Sequence, residues 1–108
     1  MEGYIYIISN RINDKFYIGS TKQSIKKRFS GHKHEAKWSS LPMYADMIKY
    51  GSDKFEINVL IKVTVKDRYE LCQIEGDYQE KFNPPYNKIK NHSTKEIQRI
   101  RKRNIIKL

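Results

Sequence analysis

The first part of the chain alternates short apolar runs with polar turns. Residues 4–8 read Tyr-Ile-Tyr-Ile-Ile, a β-branched and aromatic run that is typical of a strand. The polar residues 9–14 predict a turn, and residues 15–18 predict a second strand that pairs with the first as an antiparallel hairpin. Apolar side chains at every second position over residues 55–63 predict a third strand with one buried face.

Three other stretches have the spacing of helices. They cover residues 24–36, where Thr21 or Ser24 is a possible cap, residues 42–50, which Gly51 ends, and residues 67–82, which end at Asn-Pro-Pro. The positions expected to be buried on the second and third helices are Tyr44, Met47, Ile48, Leu71, Ile74, Tyr78 and Phe82. This order of elements predicts an α+β fold, in which a three-stranded, mainly antiparallel sheet is flanked by helices.

The charge balance points to a negatively charged partner. The 108 residues suit one domain and include 22 Lys and Arg against 12 Asp and Glu, a formal net charge of +10. An excess of this size makes a polyanion the first candidate, and 8 Tyr interleaved with the cations suit a nucleic-acid surface. Charge alone puts nucleic acid only modestly ahead of a basic protein without such a role.

The cysteine content and the apolar runs indicate a compartment. Cys72 is the only cysteine, so no intrachain disulfide can form and a reducing environment is expected. One Cys and three His without paired spacing argue against a zinc site. No apolar run approaches the ~20 residues that span a bilayer, and no signal-peptide pattern is visible. We therefore expect an intracellular protein without a membrane partner, in the cytoplasm, nucleoid or nucleus, or in the host cell if it is viral.

A set of chemistry-bearing residues follows the chain in a particular order. Tyr-Ile-Tyr precedes a turn that leads to Tyr-Ile-Gly-Ser-Thr, and an Arg-x-x-x-His helix, a Glu-x-x-Tyr helix and Pro-Pro-Tyr-Asn come next. This set resembles the GIY-YIG nuclease family. The first motif of that family begins with glycine, whereas here Tyr4 stands at that position and Gly3 precedes it. The residues that carry the resemblance are Tyr6, Tyr17, Arg28, His32, Glu75 and Asn87.

The resemblance implies a metal-dependent DNA endonuclease that hydrolyses phosphodiester bonds with Mg²⁺ or Mn²⁺. The nuclease domain would cover residues 1–90, and residues 91–108 would form a basic C-terminal helix or tail of the same single domain. Hydrolysis needs a deprotonated water, neutralised charge on the phosphoryl group and a stabilised leaving oxygen. The resemblance also implies that the chemical groups converge on one face of the sheet.

Each candidate residue has an expected role. By resemblance, Tyr6 takes the proton from the attacking water, and Tyr17 holds the water or the phosphate. The planar fork of Arg28 would clamp the scissile phosphate, and His32 would serve as a proton relay or as a structural partner.

Glu75 borders the buried face of its helix, where a carboxylate is costly unless it is paired or metal-bound. We therefore expect Glu75 to hold the metal ion, as a single carboxylate often does for Mg²⁺. Asn87 is implied only by the resemblance, either to orient a phosphate or to brace the site.

Basic residues outside the reacting centre are expected to contact DNA phosphates, which provide affinity and little sequence information. The substrate could be duplex or branched DNA, and the chain could act as a homodimer or with a protein partner. A catalytically inactive DNA-binding module and a structural protein with a basic surface are the alternatives, and the complete set of polar candidate residues argues against both. The expected DNA contacts are Lys22, Lys26, Lys27, Lys88, Lys90, Arg99, Arg101, Lys102 and Arg103.

Overall fold

The computed structural model describes residues 1–87 and confirms the predicted α+β class. A three-stranded antiparallel sheet has helices on both faces. The predicted basic tail lies outside the described residues. The elements, in chain order, are strand β1 (Glu2–Asn10), strand β2 (Phe16–Thr21), helix α1 (Ile25–Glu35), helix α2 (Pro42–Tyr50), a 3-10 turn (Ser52–Lys54), strand β3 (Phe55–Thr64) and helix α3 (Arg68–Phe82).

Local side-chain chemistry sets the ends of two helices. The hydroxyl of Ser24 accepts a hydrogen bond from the backbone N–H of Lys27 at 3.2 Å, and the carboxylate of Asp67 accepts one from the N–H of Glu70 at 2.9 Å. These are the N-terminal caps of α1 and α3. Asn83, with φ of 47°, ends α3 in the left-handed conformation that asparagine tolerates. The helix ends that the sequence predicted are therefore close to the observed ones.

Strand β1 lies in the middle of the sheet, in the order β2-β1-β3. Successive side chains of a strand point to opposite faces of the sheet. Tyr6 and Ile8 of β1 therefore pack against α1 and α2 on one face. Ile5 packs on the other face with Ile18 and with Leu71 of α3. Strand β2 is therefore an edge strand that has α1 near one face and α3 on the other.

Strand β3 departs from the predicted alternation. Ile61 lies opposite Ile5 and Val59 lies opposite Tyr6, so Leu60 is an extra residue that forms a β-bulge. The bulge interrupts the period of two, and the side chains of Val59, Leu60 and Ile61 are 43%, 39% and 38% exposed. The prediction of a strand was correct, but the prediction of one face buried along its whole length was wrong.

Two side chains predicted to be buried on helices are exposed. Ile48 of α2 is 66% exposed, because the helix packs through Met43 together with the predicted Tyr44 and Met47. Phe82 is 45% exposed, because it is the last residue of α3. Its ring contacts the ring of Tyr78 at a centroid distance of 6.1 Å. A helical period alone does not define which neighbouring row of side chains a helix buries.

No helix among residues 1–87 combines the length and the apolar character that crossing a membrane requires.

Candidate active site

Tyr6 is the centre of the candidate site. Its side chain is 1% exposed, and its hydroxyl lies 2.7 Å from Nε2 of His32. Burial raises the pKa of the Tyr6 phenol far above its usual range, the neighbouring Tyr17 raises it further, and the charge of Arg28 opposes both effects. The Tyr6 phenol is therefore protonated at neutral pH.

Tyr17 lies beside Tyr6 from the edge strand β2. The two ring centroids are 6.2 Å apart, and the Tyr17 ring meets the His32 ring edge-on at 5.2 Å. Burial raises the pKa of Tyr17, and the carboxylate of Glu75 is the next largest cause in the same direction. The carboxylate of Glu75 is therefore close enough to the Tyr17 phenol for its charge to act on it.

His32 is fully buried in the last turn of α1. Its Nε2 atom contacts the Tyr6 hydroxyl at 2.7 Å, and its Nδ1 atom contacts the Tyr44 hydroxyl at 2.8 Å. Burial lowers the pKa of His32 to about 4, and the charge of Arg28 lowers it in the same direction while Glu35 opposes them. The imidazole is therefore neutral at neutral pH.

Arg28 lies one helical turn before the histidine, and its side chain is 29% exposed. Its guanidinium lies beside the Tyr6 phenol and favours the phenolate, and its Nη1 atom is 3.6 Å from Oε1 of Glu35. The guanidinium thus borders the buried phenol on one side and solvent on the other. This position allows it to contact a phosphate that approaches from outside.

Glu75 is only 8% exposed on the buried face of α3. Its Oε1 atom accepts a hydrogen bond of 2.5 Å from the Ser20 hydroxyl, and its Oε2 atom accepts one of 2.9 Å from Nε2 of Gln79. Gln79 also donates to the backbone carbonyl of Ile18 at 3.1 Å, which ties α3 to β2. Ser20 and Gln79 are not among the predicted site residues, although Gln79 is four residues after Glu75 and so lies on the same helix face.

The site straddles the edge strand β2, whereas the sequence-based expectation was a site on one face of the sheet. Tyr6 and Tyr17 point to the face covered by α1 and α2, and Ser20 meets Glu75 of α3 on the other. Because β2 has no further strand beside it, groups from both faces can approach each other around its edge. The four expected groups Tyr6, Tyr17, Arg28 and Glu75 are brought together in this way.

Asn87 braces the site and is not directed at the reacting space. Its Oδ1 atom accepts a hydrogen bond from the N–H of Ile18 at 3.0 Å, and its Nδ2 atom donates to the carbonyl of Ile18 at 2.9 Å. Both ends of the amide are thus used on the backbone of β2, beside the strand position of Tyr17. Of the two roles expected for Asn87, these hydrogen bonds favour bracing the site over orienting a phosphate.

The donor set around Glu75 fits a single hard cation. Residues 1–87 contain no group of three or more His, Cys, Asp or Glu arranged to hold a metal ion. Mg²⁺ does not need such a group, because it commonly binds one carboxylate together with waters and substrate phosphate. The carboxylate of Glu75 is a charged oxygen donor of the kind that Mg²⁺ prefers, and the Ser20 hydroxyl is a neighbouring oxygen.

A basic cavity of about 300 Å³ adjoins the site. Arg28 and the predicted DNA contact Lys22 line it together with Arg68, which comes from the first turn of α3 and is not among the predicted DNA contacts. Lys26 and Lys27 are exposed on α1, as a contact with DNA requires. The other expected contacts lie outside the described residues; they are Lys88, Lys90, Arg99, Arg101, Lys102 and Arg103.

Two proteins of Invertebrate iridescent virus 6 are similar to this chain. An uncharacterized protein, 019R, is 40% identical over 77 residues, which represent 70% of this chain and 28% of that protein. A putative MSV199 domain-containing protein, 146R, is 35% identical over 94 residues, which represent 83% of this chain and 38% of that protein. The chain thus spans about a third of the length of these curated relatives.

The GIY-YIG catalytic domain family matches residues 2–90. Two solved structures share the fold. A mutant of the catalytic domain of the intron endonuclease I-TevI has a TM-score of 0.71 and 24% identity, covering 86% of this chain and 99% of that one. The catalytic domain of the homing endonuclease I-TevI has a TM-score of 0.63 and 24% identity, covering 85% and 97%.

Proposed function

Because the chain belongs to the GIY-YIG catalytic domain family, as its motifs predicted, we propose that it is a metal-dependent DNA endonuclease. The reaction is the hydrolysis of a phosphodiester bond by a tyrosine, arginine and glutamate site. The observation that carries this proposal is the convergence of Tyr6, Tyr17, Arg28 and Glu75 around the edge of one strand, although they come from four different elements. A structural protein has no need for this convergence.

Tyr6 receives the proton of the attacking water. Its phenol is protonated at neutral pH, so it acts as a base only if it passes its own proton on as it accepts another. Neutral His32, with Nε2 at 2.7 Å from the Tyr6 hydroxyl, is the group that takes this proton. Tyr17, beside both, orients the water or a phosphate oxygen through its hydroxyl.

Arg28 and Glu75 act on the phosphate from two sides. The guanidinium of Arg28 binds two phosphate oxygens and stabilises the charge that develops on them. Glu75, oriented by Ser20 and Gln79, holds Mg²⁺ or Mn²⁺. When bound there, such an ion neutralises phosphate charge and stabilises the leaving oxygen.

The basic cavity binds the phosphate next to the scissile one. Lys22 and Arg68 lie on its wall with Arg28, so a DNA strand that places one phosphate at Arg28 meets two further cations. Lys26 and Lys27 extend this charge along α1. Contacts of this kind supply affinity for duplex or branched DNA without reading its sequence.

Plasmid cleavage tests the proposal. Purified protein with Mg²⁺ should nick or linearise a supercoiled plasmid, and EDTA should stop the reaction. Glu75→Ala should bind DNA and not cleave it, whereas Glu80→Ala, an exposed acid on the same helix, should cleave normally. If the wild-type chain binds duplex, flap and junction DNA and cleaves none of them, the inactive DNA-binding module is the correct alternative.

The relatives suggest the setting in which the activity operates. Both curated relatives come from a virus, and this chain covers about a third of their length, so further segments of a whole protein could select the substrate. We propose that the chain acts inside a cell, the host cell if it is viral, and that a homodimer or a protein partner supplies the second cut of a double-strand break. Sedimentation with and without DNA tests the oligomeric state.

A further inference from the structure

The hydrogen bonds that begin at Tyr6 continue past His32 to the surface. Nδ1 of His32 lies 2.8 Å from the Tyr44 hydroxyl, and the Tyr44 hydroxyl donates to Oε2 of Glu35 at 2.9 Å. Tyr44 is 5% exposed, whereas the side chain of Glu35 is 50% exposed. An unbroken series of three hydrogen bonds therefore links the buried Tyr6 phenol to a carboxylate in contact with solvent.

The carboxylate of Glu35, at the surface end of the series, determines which group donates in every hydrogen bond. The carboxylate of Glu35 accepts a hydrogen bond, and the Tyr44 hydroxyl donates it. The Tyr44 oxygen then accepts, and Nδ1 of neutral His32 carries the hydrogen that it receives. Nε2 is left with a lone pair, and the Tyr6 hydroxyl donates to it. Each donor thus points away from the reacting space and towards the surface.

We propose that Tyr44 and Glu35 complete a proton pathway that carries the proton of the attacking water from Tyr6, through His32, to solvent. The proposal rests on the nuclease function proposed above and adds two residues to it. Neither Tyr44 nor Glu35 touches the substrate in this scheme. Both act through His32, so they are positioning and relay residues.

The protons and bonds of the step balance. The water oxygen bonds to phosphorus, and the bond between phosphorus and the leaving ester oxygen breaks, with that oxygen taking a proton from solvent. Water gives a proton to the Tyr6 oxygen, and the Tyr6 hydroxyl gives its original proton to Nε2 of His32. Nδ1 of His32 then gives its proton to the Tyr44 oxygen. The Tyr44 hydroxyl gives its original proton to the carboxylate of Glu35. Glu35 releases a proton to bulk water. After the product leaves, Glu35 takes up a proton from bulk water, each bond of the series transfers a proton in the opposite direction, and Tyr6 gives its proton to water that refills the site and exchanges with solvent.

Burial makes such a pathway necessary. The pKa of Tyr6 is raised by burial and that of His32 is lowered by it, so neither a phenolate nor an imidazolium is stable at this position. The transfer of protons along the series leaves Tyr6, His32 and Tyr44 neutral and moves the charge change to the exposed Glu35. Burial also raises the pKa of Tyr44, which keeps its hydroxyl protonated and able to donate.

Tyr44→Phe is the primary variant. It removes one hydroxyl, keeps the ring in the core and leaves the pair between Arg28 and Glu35 in place. Single-turnover cleavage of plasmid with Mg²⁺ should slow by about 10–100-fold, within the range for loss of a proton-transfer group, while the Kd for DNA stays unchanged. The matched control is Tyr86→Phe, which removes another buried hydroxyl that donates to a carboxylate, Asp46, in the same core cluster. It should cleave at the wild-type rate.

Two readouts distinguish proton transfer from a purely structural role. The wild-type rate should fall in D₂O with a curved dependence on the deuterium fraction, because several protons move together, and this curvature should be lost in Tyr44→Phe. Glu35→Gln should slow cleavage and Glu35→Asp should restore part of the rate. The double variant Tyr44→Phe/Glu35→Gln should be no slower than the slower single variant, because both interrupt one pathway.

A measurement on the wild-type protein does not depend on any variant folding. In protein labelled with ¹⁵N-histidine, the ¹⁵N shifts of His32 should show hydrogen on Nδ1 and a lone pair on Nε2. Hydrogen on Nε2, or wild-type cleavage by a folded Tyr44→Phe variant, would overturn the pathway while the nuclease function stands. Absence of cleavage by the wild-type chain would overturn the nuclease function, and the pathway with it.

Discussion

The hydroxyl oxygen of Tyr6 lies 2.5 Å from the place where a Cβ atom of residue 19 would be, so Gly19 is the residue that allows the tyrosine to reach its position. The two residues face each other across β1 and β2. The Tyr17 ring is also within 2.8 Å of that place. The glycine of the Tyr-Ile-Gly motif is therefore explained by packing of two phenols against the backbone of the edge strand.

Gly19→Ala should inactivate the site more than it destabilises the fold. A methyl group at residue 19 must displace the Tyr6 hydroxyl from His32, at a cost of roughly 1–3 kcal/mol in unfolding free energy. Single-turnover cleavage should fall by at least about tenfold beyond the effect of that destabilisation. Urea denaturation and single-turnover rates measure the two effects separately.

Gly3→Ala is the control for this variant. Its added Cβ would also approach another side chain closely, at 2.8 Å from a methyl carbon of Leu71, but Leu71 belongs to the core cluster on the opposite face. It should lose stability and keep its cleavage rate at a temperature where it is folded. Equal loss of activity in both variants would contradict the role assigned to Gly19.

Gln79→Leu should weaken metal binding. Its Nε2 atom donates to Oε2 of Glu75 and to the carbonyl of Ile18, so its loss frees the carboxylate to rotate away from its present orientation. Groups that orient a metal ligand typically change metal affinity by about 10–100-fold. The Mg²⁺ concentration that gives half of the maximal rate should rise accordingly, while the Kd for DNA in EDTA stays the same.

A variant elsewhere on α3 provides the comparison for Gln79→Leu. Gln73→Leu changes the same residue type on the same helix at a half-buried position. Its Mg²⁺ dependence should match that of the wild-type chain. An unchanged Mg²⁺ dependence in Gln79→Leu would show that Glu75 needs no support from Gln79.

His32 should make the fold sensitive to acid. Its pKa is about 6.5 when unfolded and about 4 when folded, so the unfolded chain binds more protons between these values, and stability falls as pH falls through this window. The shift corresponds to about 3 kcal/mol of unfolding free energy lost by pH 4. Denaturation with urea at a series of pH values should show this slope, reduced in His32→Asn and retained in His34→Asn, since His34 is exposed. The same slope in both variants would exclude His32 as its source.

Lys22→Ala and Arg68→Ala should weaken DNA binding without changing the chemical step. Each removes one cation from the wall of the basic cavity, so the slope of log Kd against log salt should decrease in magnitude by about 1 for each. Lys62→Ala lies on β3, at the opposite edge of the sheet, and should leave the slope unchanged. If the salt slope changed as much in Lys62→Ala as in Lys22→Ala and Arg68→Ala, the proposed contact between DNA and the basic cavity would be contradicted.

The sequence was sufficient for features that depend on neighbours along the chain. The β-branched and aromatic run in residues 4–8, the cap at Ser24 and the stop at Asn83 each act within a few residues, so pattern and propensity located the strands and helices. The ordered motifs identified the family.

Other features depend on contacts between distant segments, and only the tertiary structure decided them. Examples are the bulge at Leu60, the exposure of Ile48 and the brace from Asn87 to Ile18. The same holds for the bond from Tyr44 to Glu35, which requires α1 and α2 to pack at one particular rotation. The physical reason is that periodicity restricts a side chain to a face of its own element, whereas its partner is chosen by how two elements pack against each other.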